Sequence, residues 1–549
     1  MEEYADDDPA HEYLGSDGRW TSLNRHELSH AVRSVAAGLS HAGLRAGDRL
    51  AMLDGDPASF VPAFLGALWA GVVPVPAPAP PMAGRQRQWS ELLRTVLSVA
   101  RPTALCVPAA ASEALRPFGR LLFYEDLTRT SPTSRGPVRR SADDVVYLQF
   151  SSGSTTRPRA VAARAEAVMT NGLAIARQGI GVDLATDRTL SWLPLHHDMG
   201  LVGFVVAPLT VGLPTSFMPT RTFARDPGSW MRAMHERSAT VTFAPNFAYA
   251  LAARRTRPEH VAALDLSRVR VAGCGGEPIN PRVLRRFAET FGPAGLNPHV
   301  MLPCYGLAES TLAVTLCPPG RPLALQRVSL KDLSAGRAAP APNSPAGSSP
   351  SAEPLTEVVG CGKAFDDHEL SVRDSVGRPL PDRLVGEVWV RGPSVAHAYA
   401  GDPEATSRTF DGEGWLHTGD RGFLVDGELF VTGRVKDLLI VRGHNTDPQR
   451  VEWIVESQSG VRQGGVAAFT RPAEETEELV LVIECRASAD RGGLAARVRT
   501  AISEKLTLSV HDVVLVRPGT IPRTTSGKLR RQETRRRYLE GELDGVRQS

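Results

Sequence analysis

The 549-residue chain has room for roughly three or four domain-sized units, and 42% apolar with 22% charged residues is ordinary for a globular protein. A formal net charge of +3 excludes a dedicated nucleic-acid binder, which would carry a strongly basic face. The six cysteines (Cys106, Cys274, Cys304, Cys317, Cys361, Cys485) show no CxxC spacing, so neither a zinc site nor a disulfide framework is indicated; the acidic residues 1–10 lack the order of a signal peptide, which points to the cytoplasm.

Taken in order, Asn24 with Glu27 forms an N-cap signal, and Leu28, Val32, Val35 and Leu39 follow at helical spacing. Residues 49–53 (RLAML) predict a short strand. Two long uncharged stretches, 60–82 and 199–220, are interrupted by proline, so each reads as a buried helix running into a strand and not as a membrane span. Residues 145–150 (VVYLQF) predict a buried strand that runs into Ser151, Ser152, Gly153, Ser154, Thr155 and Thr156. So small and hydroxylated a loop can cradle phosphates with N–H groups and hydroxyls; in isolation it is equally an ordinary Ser/Thr turn. Helices and strands alternate to about residue 315, which favours an α/β sandwich.

Residues 338–354 (AAPAPNSPAGSSPSAEP) cannot form a core of their own and predict a mobile loop or linker. Short strands such as 387–390 (EVWV) and 428–431 (ELFV), with glycine-rich turns, predict a small β-rich subdomain. Beyond about residue 435 a helix starting at 451–455 is expected, with strands at 466–469, 479–483 and 513–516. Leu494, Val498 and Ile502 mark a helix face, completing an α+β unit. Of 63 basic residues only five are lysine: Lys331, Lys363, Lys436, Lys505 and Lys528. Where arginine serves as the general cation, a lysine marks a place where the two are not interchangeable.

Five stretches occur in one order: the loop after Phe150, then 305–310 (YGLAES), 414–420 (GWLHTGD), 433–437 (GRVKD) and 522–528 (PRTTSGK). In this the chain resembles the adenylate-forming enzymes: acyl-CoA synthetases, luciferases and peptide-synthetase adenylation domains. Through 192–201 (WLPLHHDMGL), 245–249 (PNFAY) and 303–309 (PCYGLAE) it most resembles the fatty acyl-AMP ligases, whose extra insertion would fall at about 327–357. The resemblance implies an α/β N-terminal domain over 1–434, made of two α/β subdomains and the β-rich one. A smaller, mobile α+β domain over 435–549 would follow. The implied chemistry is attack of a carboxylate on the α-phosphate of ATP, which brings two anions together and calls for positive charge and metal.

By the same resemblance Ser151, Ser152, Gly153, Ser154 and Thr155 hold the β- and γ-phosphates, and Glu309 binds Mg²⁺. Tyr305, followed by Gly306, stacks on adenine beside the loop Gly275, Gly276, Glu277 and Pro278. Asp420 accepts from the ribose hydroxyls, Arg434 touches the nucleotide, and Lys436 marks the interdomain hinge. His197 lines the acyl channel with Asn246 and Phe247, close to the reacting carboxylate, and Lys528 bridges carboxylate and α-phosphate. Each has a plainer alternative: a helix-start carboxylate for Glu309, a core residue for Tyr305, a turn former for Asp420, a surface lysine in a basic tail for Lys528. Adjacent His196, His197 and Asp198 cannot easily converge on one metal ion.

The chain departs from the acyl-CoA synthetases at Thr156, Arg159 and Ala160, where those have Gly, Lys and Gly, and it has Ala at position 250, where an acidic residue is common. The expected function is a ligase that makes acyl-AMP from ATP and a fatty or related carboxylic acid. It would then acylate the phosphopantetheine thiol of a separate acyl carrier protein, in lipid or natural-product biosynthesis. The alternatives are an acyl-CoA ligase and a catalytically silent nucleotide-binding homologue.

Overall fold

The computed structural model describes residues 9–81, 86–151, 158–340, 355–441, 444–472, 477–485, 491–506, 508–524, 527–543 and 545–548. The first sheet has four parallel strands in the order Val73–Ala77, Arg49–Leu53, Ala104–Val107, Leu121–Phe123. Before it, Asn24 and Glu27 close a reciprocal capping box on the helix Arg25–His41, which buries Leu28, Val32, Val35 and Leu39 as the spacing predicts. The stretch 60–82 contributes most of the helix Pro57–Trp69 and the strand Val73–Ala77. Among the described residues no helix is long and apolar enough to cross a membrane.

The second sheet has nine strands, and its centre is parallel: Met301–Gly306, Val271–Cys274, Val241–Ala244, Thr189–Ser191, Thr215–Phe217 and Pro9–Leu14 lie side by side. Strands buried on both faces need no alternation, which is why VAGC and VTFA carry no polar stripe. In the hairpin Val145–Ser151 and Arg159–Arg164, Leu148 packs into a core on one face of the first sheet, and Tyr147 into the large core that joins the first and second sheets.

An antiparallel sheet of Glu369–Arg373, Gly386–Arg391, Leu416–Val425 and Glu428–Arg434 forms the β-rich part. The C-terminal part has its own sheet, Val461–Pro472, Glu477–Cys485, Val510–Val516 and Gly545–Gln548, and its own apolar core around Val451, Leu481, Val498 and Val513. The fold is thus a large N-terminal α/β part with a β-rich appendage, followed by a smaller α+β part. Ala338, at the start of the Pro/Ala/Ser segment, is fully buried and its N–H donates to the Arg383 carbonyl, so the segment begins as packed structure; residues 341–354 lie outside the described residues. In the C-terminal helix Arg531–Leu539, Arg531, Arg536 and Arg537 are all ion-paired to carboxylates.

Candidate active site

The parallel strands of the second sheet all end on one side, and ligands of open α/β sheets bind outside the carboxyl ends of such strands. Here that edge carries Pro245 and Asn246 after Val241–Ala244, Gly275 to Pro278 after Val271–Cys274, Gly306 at the end of Met301–Gly306, and His196 to Asp198 beyond Thr189–Ser191. Of these, Asn246, Gly276, Glu277, Pro278, Gly306, His197 and Asp198 line a cleft of about 1420 Å³ that is closed from the other side by Asp420 and Arg434 of the β-rich sheet and by Gly527 and Lys528 of the C-terminal part.

One wall is a three-residue polar cluster. Asp420 and Arg434 are cross-strand partners, and the Arg434 Nε donates to Asp420 Oδ1 at 2.8 Å. The Tyr305 hydroxyl donates to Asp420 Oδ2 at 2.8 Å. Burial and the neighbouring Asp420 carboxylate push the Tyr305 phenol well above its ordinary range, so it stays a donor. Gly306 can be no other residue: a Cβ there would stand 1.9 Å from the Leu312 carbonyl oxygen.

The opposite wall is built on the helix Asn246–Arg255. Phe247, Ala250, Leu251 and Arg254, spaced three and four apart, share one face and line the cleft. The Glu277 side chain accepts from the Phe247 N–H at 2.7 Å, and Asn246 Oδ1 accepts from the Asn280 N–H at 3.1 Å, so the glycine loop and the helix start hold each other. Ile175, Val182, Phe204, Leu213, Val241 and Phe243 extend this side into an apolar channel.

Lys528 arrives between the walls on a turn pinned by its own backbone. The Thr524 N–H donates to the Lys528 carbonyl at 2.8 Å, the Lys528 N–H to Thr524 Oγ1 at 3.0 Å, and Arg523 holds the Gly527 carbonyl at 3.0 Å. The described residues of this loop form a tight turn. Gly527 has φ +88°, and its Cα side faces the Phe247 ring closely enough that a Cβ would lie 3.6 Å away. Burial lowers the Lys528 ammonium below its ordinary range and Arg434 pushes the same way, against the pull of Asp198, Glu277 and Asp420. Burial works against ionisation of Asp198, yet His197, Lys528 and the Met199 N–H together hold its carboxyl below the usual carboxylate range. His197 Nδ1 lies 2.5 Å from Asp198 Oδ1, whereas His196 Nδ1 turns to Asp54 Oδ2 at 2.7 Å, so the two histidines diverge.

Ser151 ends its strand in the cleft; Ser152, Gly153, Ser154 and Thr155 lie outside the described residues. Glu309 sits on the turn Ala308–Ser310, where its Oε1 accepts from the Tyr399 hydroxyl at 2.7 Å. Lys436 is exposed in the turn Val435–Asp437. Cys304 also lines the cleft, but burial pushes its thiol up to about 12, which leaves it unfit as a nucleophile. Sequence reasoning missed Asp198 and Tyr399 as members of this site, and Asp54 as the partner of His196 behind it. Asp54 follows directly on a parallel strand, and strand ends are where it could have been sought; Tyr399 lies in a loop with no comparable signal.

Residues 1–400 match the AMP-binding enzyme family. The long-chain-fatty-acid–AMP ligase FadD26 of Mycobacterium marinum is 36% identical over 522 residues, covering 90% of this chain and 87% of that one. A Caulobacter vibrioides protein described provisionally as an acyl-CoA synthetase is 37% identical over 514 residues, covering 92% and 88%. Among solved structures, one from a study of fatty acyl-adenylate ligases of E. coli and L. pneumophila superposes with a TM-score of 0.89 at 33% identity, covering 97% of this chain and 95% of that one. The chain belongs to the AMP-binding enzyme family, and within it to the fatty acyl-AMP ligases. It is therefore an adenylate-forming ligase.

Proposed function

We propose that the protein activates a fatty or related carboxylic acid with ATP, giving acyl-AMP and pyrophosphate. It then passes the acyl group to the phosphopantetheine thiol of a separate acyl carrier protein. The observation that carries this reading is the meeting of Lys528 with two unlike walls in one cleft. The Tyr305, Asp420 and Arg434 cluster suits a nucleoside, and the apolar channel beside Phe247 suits a hydrocarbon chain. A relative crystallised as the L. pneumophila fatty acyl-adenylate ligase with acyl adenylate and pyrophosphate, 29% identical with a TM-score of 0.73, covering 97% of this chain and 93% of that one, supports the same product pair.

In this reading Asp420 accepts from the ribose hydroxyls, Tyr305 and the loop Gly275 to Pro278 flank adenine, and Ser151 with the loop after it holds the β- and γ-phosphates. His197 and Asn246 border the carboxylate end of the acyl channel. Lys528 lies between carboxylate and α-phosphate, where a compact ammonium offsets the charge that builds on the phosphorus oxygens as the new bond forms. The carboxylate oxygen bonds to the α-phosphorus as the bond to the pyrophosphate oxygen breaks, and the electron pair leaves with pyrophosphate. Among the described residues no three His, Cys, Asp or Glu side chains gather as a metal site. A single hard carboxylate such as Glu309 nonetheless fits Mg²⁺, which is commonly held by one or two carboxylates plus substrate phosphates. When bound there, Mg²⁺ would neutralise phosphate charge.

We place the division between the N-terminal domain (1–434) and the C-terminal domain (435–549) after Arg434, with Lys436 as the hinge, and the protein in the cytoplasm. The test is pyrophosphate release with a panel of fatty acids, followed by mass spectrometry with either free CoA or a phosphopantetheinylated carrier. The expected result is acid-dependent pyrophosphate and acyl-carrier. Robust acyl-CoA instead would establish the CoA-ligase alternative, and no pyrophosphate with any chain length would leave only nucleotide binding.

A further inference from the structure

The roles assigned above leave Tyr399 without a part, yet it is bonded to the carboxylate proposed to meet the metal. Tyr399 is 4% exposed and lies in the segment between the strand Gly386–Arg391 and the helix Pro403–Thr409. That segment is a strap. On one side the Ala400 N–H donates to the Ala160 carbonyl at 2.7 Å and the Ala162 N–H to the Ala398 carbonyl at 3.1 Å, which stitches it to the return strand of the hairpin Val145–Arg164. On the other side the Ala396 N–H donates to the Glu309 carbonyl at 2.8 Å, and Thr311 Oγ1 to the Ser394 carbonyl at 2.9 Å.

At the centre of the strap the Tyr399 hydroxyl donates to Glu309 Oε1 at 2.7 Å, and the Arg159 guanidinium lies over the Tyr399 ring at 5.2 Å. The ring itself packs on Phe410. Glu309 Oε1 is thus already engaged by the Tyr399 hydroxyl. The bond takes one lone-pair direction of Oε1 and resists rotation of the carboxylate toward an orientation in which both oxygens close on one ion. Mg²⁺ demands near-octahedral geometry and is content with one oxygen of a carboxylate, whereas Ca²⁺ takes more ligands and accepts both.

We infer that Tyr399 is a positioning residue that confines Glu309 to one-oxygen ligation and thereby favours Mg²⁺ over Ca²⁺. This rests on the reading of Glu309 as the metal-binding carboxylate. The experiment titrates Mg²⁺ and Ca²⁺ calorimetrically into the full-length protein with α,β-methylene ATP, which cannot be adenylated across. The proteins are wild type, Tyr399→Phe, Glu309→Gln and the double variant, each with its melting midpoint. The Phe variant keeps the ring against Phe410 and is expected to narrow the Mg²⁺-to-Ca²⁺ affinity ratio about tenfold, with no such change in the Glu309→Gln background. A ratio within about twofold of wild type, at an unchanged melting midpoint, overturns the inference alone if Glu309→Gln weakens both cations; if Glu309→Gln weakens neither, the metal reading falls with it. Carboxylate stretching bands of the ¹³C-glutamate-labelled wild type, differenced against Glu309→Gln, give a second measurement that does not depend on the Phe variant folding. A one-oxygen pattern with Mg²⁺ supports the inference, and a two-oxygen pattern overturns it.

Discussion

The nucleotide wall and the lysine turn face each other across one cleft but are held by different physics. Tyr305, Asp420 and Arg434 project from strands of two sheets whose cores are continuous with the N-terminal part, and every polar atom that joins them is bonded at 2.8 Å. Lys528 comes from a part with its own core. It is brought to the cleft by charge pairs and loop contacts: Arg421 to Asp447 at 3.5 Å, Asn445 to the Ser334 carbonyl at 3.5 Å, and Gly527 against Phe247. Arg531, bonded to the fully buried Glu452 and to Asp437, anchors the C-terminal end of the turn within its own part. The nucleotide wall is thus set in the N-terminal cores, while the lysine is seated from a part with a core of its own.

The largest effect that would sharpen this contrast is on chemistry. Lys528→Ala should lower the rate of pyrophosphate release by about 10²–10³-fold, the scale of removing one transition-state charge partner, while leaving ATP binding nearly intact. Equal losses in rate and in ATP affinity would instead make the lysine part of the nucleotide wall. Asp420→Asn should act the other way. Loss of a charged hydrogen-bonding partner costs about 1.5–3 kcal/mol, so the KM for ATP should rise roughly 10- to 100-fold with a smaller change in kcat.

A pH profile separates the two regions next. The Lys528 ammonium is held below its ordinary value of 10.5 by burial, so its charge is lost as pH rises through that lowered value. The alkaline limb of adenylation should therefore lie below pH 10.5, and a limb at or above that value would show the lysine to be solvated. The smallest effect belongs to the seam. Burial raises the Asp447 carboxyl, with the Arg450, Arg421 and Arg531 charges opposing, so Asp447→Asn removes a carboxylate that already gains little from being charged. A change of about 1 kcal/mol or less in stability is expected, read by thermal melting, with a measurable shift in adenylation rate if the seam seats Lys528.

Much of this molecule was legible in the chain. The helix face of Leu28, Val32, Val35 and Leu39 is periodic, and the strand at 145–150 and the C-terminal strand Glu477–Cys485 are built on apolar runs; both are local marks that burial leaves residue by residue. The motif order located Tyr305, Asp420, Arg434 and Lys528 in advance, because each sits in a short stretch whose neighbours are constrained with it. The partners of the arginines in the helix Arg531–Leu539 were not legible, because a sequence shows charge and not pairing; Glu452 lies 79 residues before Arg531.

What the sequence determined by itself was the set of elements and the order of the chemically loaded loops. What only the tertiary structure decided was which of those loops touch. Tyr399 and Glu309 are 90 residues apart, and the pairing that joins them leaves no periodic mark in either stretch. The same holds for Asp198 and Lys528, drawn together from opposite parts of the chain by burial and opposite charge. A hydrogen bond or ion pair across such a separation costs loop entropy that the packed cores, not the local residues, must offset, so it can be read only once those cores are in place.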